Sequence, residues 1–69
     1  MTHRIDAIFR VEELLGSEGT LQLAGEMLDI MEDEGFVTYD AINGYTIQTD
    51  IDQYKFAAML ERAEERLVS

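Results

Sequence analysis

The sequence predicts an α+β fold: one compact domain ordered helix, helix, β-hairpin, helix. Three observations predict it. Apolar residues recur at helical spacing in three separate stretches. Between the second and third stretches the period changes to two, on either side of the turn dipeptide Asn43-Gly44. Glycines fall at the joints (Gly16, Gly19, Gly35 and Gly44), and the chain has no proline.

The first segment, Thr2 to Leu15, reads as a helix. Thr2 is placed to cap it. Ile5, Ile8, Val11 and Leu15 fall near one face with Phe9 beside them, and Gly16 suits the residue just past the end. Gly16-Ser17-Glu18-Gly19 reads as a short loop.

The second segment, Thr20 to Glu34, is a helix that Thr20 can cap. Leu21, Ala24, Leu28 and Met31 form an apolar row, widened by Leu23, Met27 and Ile30. Gly25 costs up to about 1 kcal/mol inside a helix, which points to a close helix crossing there. Gly35 ends the segment.

In the hairpin, Val37, Tyr39 and Ala41 alternate with polar residues, as do Tyr45 and Ile47. A two-residue Asn-Gly turn would put the two apolar sets on opposite faces, because side chains alternate. A three-residue loop, Ile42-Asn43-Gly44, keeps them on one face by pairing Ala41 with Tyr45 and Tyr39 with Ile47. It places Gly44 in the left-handed region with a bulge. The last segment, from about Ile51 to Leu67, is a helix. Asp50 and Gln53 form a capping box. Phe56, Leu60, Ala63 and Leu67 lie on one face, with Met59 alongside. A two-stranded hairpin is not stable alone, so it packs on the helices.

The 69 residues form one domain, 1–69, with a thin core and modest stability, so the expected state is a monomer or weak homodimer. Fifteen acidic residues stand against five basic ones, for a formal net charge of -10. Charge of one sign costs stability through self-repulsion and calls for a reason, in the solvent or in a partner. It disfavours nucleic acid and anionic membranes as direct partners and favours a basic protein surface. There is no cysteine, so neither disulfides nor thiolate chemistry are expected. No apolar run approaches membrane-spanning length, and the first residues lack a signal-peptide pattern, so the expected location is cytoplasmic.

The acids are not evenly spread. Glu26, Asp29 and Asp33 share the polar face of the second helix, and Glu32 and Glu34 extend the cluster at its end. Each exposed acid near a helix C-terminus costs roughly 0.3 to 1 kcal/mol. No basic residue is nearby in sequence. The plain reading of such a run is a solvated face. The dipole penalty makes a binding role its equal. Asp40 points to the hairpin's outer face, and Asp50 and Asp52 return the chain to the hairpin base. These eight residues, Glu26, Asp29, Glu32, Asp33, Glu34, Asp40, Asp50 and Asp52, are the candidate partner-binding set, expected to merge into one acidic surface for Arg or Lys. Such a ridge could occupy a groove meant for DNA.

No cofactor or metal is expected. A calcium loop counted from Asp50 holds Lys55 where glycine is usual. His3 is the only histidine, which leaves no zinc pair and no credible Ser-His-Asp set. Gly16-Ser17-Glu18-Gly19 lacks the lysine of a phosphate loop. Catalysis is not expected. Tyr39 and Tyr45 cover the core with their hydroxyls at its rim, or anchor a partner. Met27, Met31 and Met59 follow helical spacing into the core.

Two helices followed by an Asn-Gly hairpin resemble a small winged-helix domain, although the charge argues against a DNA-reading one. The chain also resembles small acidic phage anti-CRISPR proteins directed at type I systems. The features that carry this likeness are its length, the Gly-Ser-Glu-Gly-Thr helix junction, Met27 to Phe36 running into Val37-Thr38-Tyr39-Asp40, and a last helix opened by Asp50-Ile51-Asp52. This second resemblance implies a phage-encoded inhibitor in the host cytosol. Such an inhibitor binds the lysine- and arginine-rich DNA-recognition surface of a CRISPR effector complex, by steric block or DNA mimicry. The alternatives are a small interaction domain of a halophile, whose acids serve a high-salt cytosol, and a winged-helix-like regulatory domain.

Overall fold

The computed structural model describes residues 3–68. Helix α1 spans Arg4–Leu15, α2 Leu21–Glu34 and α3 Gln53–Val68, with strands β1 Val37–Asp40 and β2 Gly44–Ile47 between α2 and α3. The class and element order are those the sequence predicts. Gly16–Glu18, expected as a loop, forms a single 3₁₀ turn.

The predicted Thr2 cap lies outside the described residues. His3 sits at the N-cap position of α1; its backbone N–H donates to the Asp6 carboxylate at 3.4 Å, and its carbonyl accepts from Asp6 and Ala7. Thr20 caps α2 as expected, its hydroxyl oxygen accepting the Leu23 N–H at 3.1 Å. Gly35 closes α2 at φ 86, a left-handed conformation that only glycine adopts without penalty.

α2 is the centre of the fold. It packs against α1 on one side and α3 on the other, while α1 and α3 do not approach each other. The hairpin covers the inner side, with β1 against α2 and β2 against α1. Ala24, Met27, Leu28, Ile30 and Met31 of α2 are fully buried, with Ala7 and Val11 from α1 and Ala63 from α3. Met59 joins them as expected. The ends of the predicted rows behave differently. Leu21, Leu67, Ile5 and Phe9 are exposed, because no element covers those positions.

Gly25 is not a close crossing. A Cβ there would meet only Ile8 Cδ1, at 3.9 Å, an ordinary contact. The tight glycine is Gly19, where a Cβ would lie 2.8 Å from Leu15 Cβ and 3.1 Å from the Glu12 carbonyl oxygen. The backbone turns back on α1 at that point.

The hairpin pairs Val37 with Ile47, Thr38 with Thr46, Tyr39 with Tyr45 and Asp40 with Gly44. The loop is therefore Ala41-Ile42-Asn43, one residue earlier than expected. The cause is Asp40, whose carboxylate accepts the Ile42 N–H at 2.7 Å and starts the turn there. The left-handed Gly44 was foreseen, at φ 76. The difference preserves the alternation, so Val37, Tyr39, Tyr45 and Ile47 still share a face.

α3 begins at Gln53 rather than Ile51, and Asp52 rather than Asp50 caps it. The Asp52 carboxylate accepts the Tyr54 N–H at 2.8 Å, and its carbonyl accepts from Phe56. Ile51, half-buried against the core, ties down the connection just before the cap. No helix among the described residues is long and apolar enough to cross a membrane.

Candidate functional site

The acids of α2 line its outward side, and the fold brings arginines to them. Arg4, in the first turn of α1, donates to Glu32 at 2.7 Å and also to Asp29. The hydrogen bond to Glu32, with help from the Tyr45 side chain and the Asp29 charge, holds the Arg4 guanidinium more firmly protonated than usual. Arg62 of α3 pairs with Glu34 at 3.2 Å, and Arg66 with Glu26 at 3.5 Å. These partners were invisible along the sequence but follow from the topology. A short connection makes α1 and α2 antiparallel, so the start of α1 lies beside the end of α2. Arg4 and Arg62 thus offset the acids that oppose the α2 dipole.

Four of the eight predicted residues, Glu26, Asp29, Glu32 and Glu34, are therefore internally paired. All four pairs are exposed, and exposed pairs contribute about 0.2–1 kcal/mol each. Asp33 stands on the same outward side with no ion pair among the described residues. Asp29 and Asp33 are one helical turn apart, roughly 6 Å along the axis.

The other three predicted residues divide. The Gln48 N–H donates to the Phe36 carbonyl at 2.9 Å, closing the hairpin base just past the end of α2. Asp50 and Asp52 follow that junction and lie at the same end of the molecule as Glu34. Asp52 is engaged as the cap of α3, while Asp50 has no partner among the described residues. Asp40 is three residues beyond Val37, about 10 Å along the strand. It organises the turn there. The acids thus form an outer row on α2, a pair at the hairpin base and a separate residue at its tip, not one merged surface.

Sequence reasoning passed over Glu61, Glu64 and Glu65. They are exposed on α3 and make no ion pair among the described residues. Their spacing puts Glu61 and Glu65 on one line with Tyr54, which is 77% exposed. The helical period of the final segment carried that signal. The hairpin tyrosines also differ in role. Tyr45 is half-buried against the core, while Tyr39 is 57% exposed with its ring centroid 4.9 Å from that of Tyr45.

Counting cations sharpens the electrostatics. Arg4, Arg62 and Arg66 are in ion pairs, and Arg10 donates to the Tyr45 carbonyl at 3.3 Å. No lysine or arginine lies between Arg10 and Lys55 in the chain. Each arginine thus has a partner within the fold, and the excess of ten negative charges is left on the surface. No three His, Cys, Asp or Glu side chains among the described residues are placed to share a metal ion. Comparison with known protein families, with curated proteins and with solved structures finds no match to this chain.

Proposed function

We propose that this protein is a non-enzymatic acidic inhibitor that occupies the basic, nucleic-acid-binding surface of a partner protein. The CRISPR effector complex is the partner class that its resemblance to small acidic anti-CRISPR proteins implies. The observation that carries the reading is the location of the positive charge. The arginines are engaged within the fold, and what faces outward is nearly all carboxylate: Asp33 beside the α2 pairs, Asp40 at the hairpin tip, and Glu61, Glu64 and Glu65 on α3. A surface of one sign raises the rate and specificity of association with an opposite one. It also repels nucleic acid, so the protein competes for the binding surface and does not bind the nucleic acid itself.

The winged-helix alternative gains nothing from the arrangement of α2. That helix is packed between two others, and its outward row carries Asp29 and Asp33 where a DNA reader needs cations.

The test is competition. A type I effector complex is incubated with labelled target DNA and increasing protein. The expected result is displacement of DNA that weakens steeply with salt, and that is lost when Asp29, Asp33 and Asp40 are together reversed to lysine. Displacement unchanged in that triple variant overturns the proposed surface. No displacement from any nucleic-acid-binding protein that co-purifies with the tagged chain overturns the function.

A further inference from the structure

The outer side of α1 carries apolar side chains that the fold leaves uncovered. At 3.6 residues per turn, Arg4 and Arg10 mark the two packed sides of this helix. Arg4 reaches Glu32 and Asp29 of α2, and Arg10 reaches the Tyr45 carbonyl of β2. Ile5 and Phe9, one turn apart, lie on the side away from both and are 49% and 46% exposed. Ile8, half-buried against the core, joins them to the seam between α1 and α2. Gly25 faces Ile8 across that seam without a side chain: a Cβ there would meet only Ile8 Cδ1 within 4 Å, at 3.9 Å. The seam is therefore notched at Gly25. Leu21, one turn earlier on α2, is 43% exposed and extends the apolar surface beside the notch. Single exposed apolar residues are ordinary, but a contiguous group of them marks an interaction surface.

We propose that this strip, Ile5, Ile8 and Phe9 with the Gly25 notch and Leu21, docks an amphipathic helix of the partner whose apolar face is bordered by lysine or arginine. The inference rests on the reading of a basic partner and names how that partner is held. Charge complementarity selects the occupant. Asp6 stands three residues before Phe9, Glu12 four after Ile8 and Glu13 four after Phe9, so carboxylates border the strip. Glu12 and Glu13 make no ion pair among the described residues, and both arginines of α1 are engaged on its packed sides. Asp29, one turn past Gly25, continues the acids onto the outward row of α2. A helix laid along the strip sets its side chains at i, i+3, i+4 and i+7 on Ile5, Ile8 and Phe9, and its flanking cations reach these carboxylates. The apolar contacts hold the helix, and the charges choose it. A second copy of the chain brings ten more negative charges to the same place, and an isologous pair sets Asp6, Glu12 and Glu13 near acids of its own kind.

The test uses the full chain, labelled with nitrogen-15, and two blocked peptides of about 18 residues made of leucine, alanine and lysine. One places its leucines at i, i+3, i+4 and i+7, so that a helix gathers them on one face. The other has the same composition and charge with the leucines spread round the helix. The amphipathic peptide is expected to bind about tenfold more tightly or better, and to shift the amides of Ile5, Ile8, Phe9 and Gly25. That advantage is expected to be lost when Ile5→Ser and Phe9→Ser are combined. Both positions are exposed, so the double variant is expected to stay folded; if it unfolds, the shifts in the unaltered chain decide. Equal binding of both peptides, or shifts confined to the acids of α2 and α3, overturns the strip and leaves the basic-partner reading standing. Binding by neither peptide also overturns the strip, and the DNA competition then decides the wider reading separately. Self-association in sedimentation that the double variant abolishes overturns the proposed occupant in favour of a second copy.

Discussion

Glu32, in the last turn of α2, accepts a hydrogen bond at 2.7 Å from Arg4, in the first turn of α1. The same guanidinium reaches Asp29 and interacts with the Tyr45 side chain. Arg4 therefore links α1, α2 and β2 at one point. Its partners are more than a third exposed, so water and salt screen most of its Coulomb energy. Arg4→Gln is expected to destabilise the fold by about 0.5–1 kcal/mol at low salt and by far less near about 1 M salt. Urea unfolding at the two salt levels measures this. An equal loss at both would mean that Arg4 acts through packing of its aliphatic stem.

Gly19 and Gly25 should respond in opposite ways to the same substitution. Gly25→Ala adds a methyl group at ordinary contact distance from Ile8 and improves helix propensity. It is expected to stabilise by about 0.5–1 kcal/mol. Gly19→Ala forces a carbon to 2.8 Å from Leu15 Cβ, where the neighbour is the root of a side chain and cannot swing away. It is expected to destabilise by about 1–3 kcal/mol. Thermal unfolding of the two variants checks both signs.

This contrast shows where the fold was legible. The apolar rows of α2 and α3 encode burial directly, because period and face are properties of the chain itself. Thus Met27, Met31 and Met59 were identifiable as core. The face of the hairpin was legible for the same reason. Its register was not, because one side chain, Asp40, accepts a backbone N–H and starts the turn a residue early. The tightness at Gly19 and the arginines opposite the α2 acids were also hidden. Both depend on how α1 and α2 approach in space, and helix periodicity carries no information about that. The candidate acids were identifiable as exposed, but which of them spend their charge inside the fold was not.

The start of α3 separates two neighbouring aspartates. Asp52→Ala removes the acceptor for the Tyr54 N–H and is expected to cost about 1 kcal/mol. Asp50→Ala removes no hydrogen bond and is expected to stay within about 0.5 kcal/mol of the parent. In the competition assay the order should reverse, because Asp50 is the one with its carboxylate uncommitted. Parallel unfolding and DNA-displacement curves for the two variants show whether folding and binding divide between them in this way.

Ten excess negative charges on a surface of 4704 Å² repel one another, and salt should relieve that cost. The thermal midpoint is expected to rise as salt is added and to level off once the Debye length falls below about 8 Å. The protein is nevertheless expected to be folded at low salt, because its core is continuous and its helix-end acids meet arginines. Folding that begins only at molar salt would show that the acids serve the solvent. That result would favour a halophile's domain over an inhibitor.

Met27 is where core and charge meet. It is fully buried at the centre of α2, the helix on which α1, α3 and the hairpin pack. Met27→Ala removes a long side chain and leaves a cavity that the three-sided packing cannot fully close, at an expected cost of about 2–5 kcal/mol. A single core in a domain of this size supplies only about 3–5 kcal/mol in total. The variant should therefore be largely unfolded at low salt, where self-repulsion is greatest. Met27→Leu keeps most of the volume and should cost less than about 1.5 kcal/mol. Far-ultraviolet circular dichroism at low and high salt distinguishes the two. Partial recovery of Met27→Ala at high salt would show packing and surface charge drawing on the same small reserve of stability. A Met27→Ala protein that stays folded at low salt would show that the core has more to spare than its size implies.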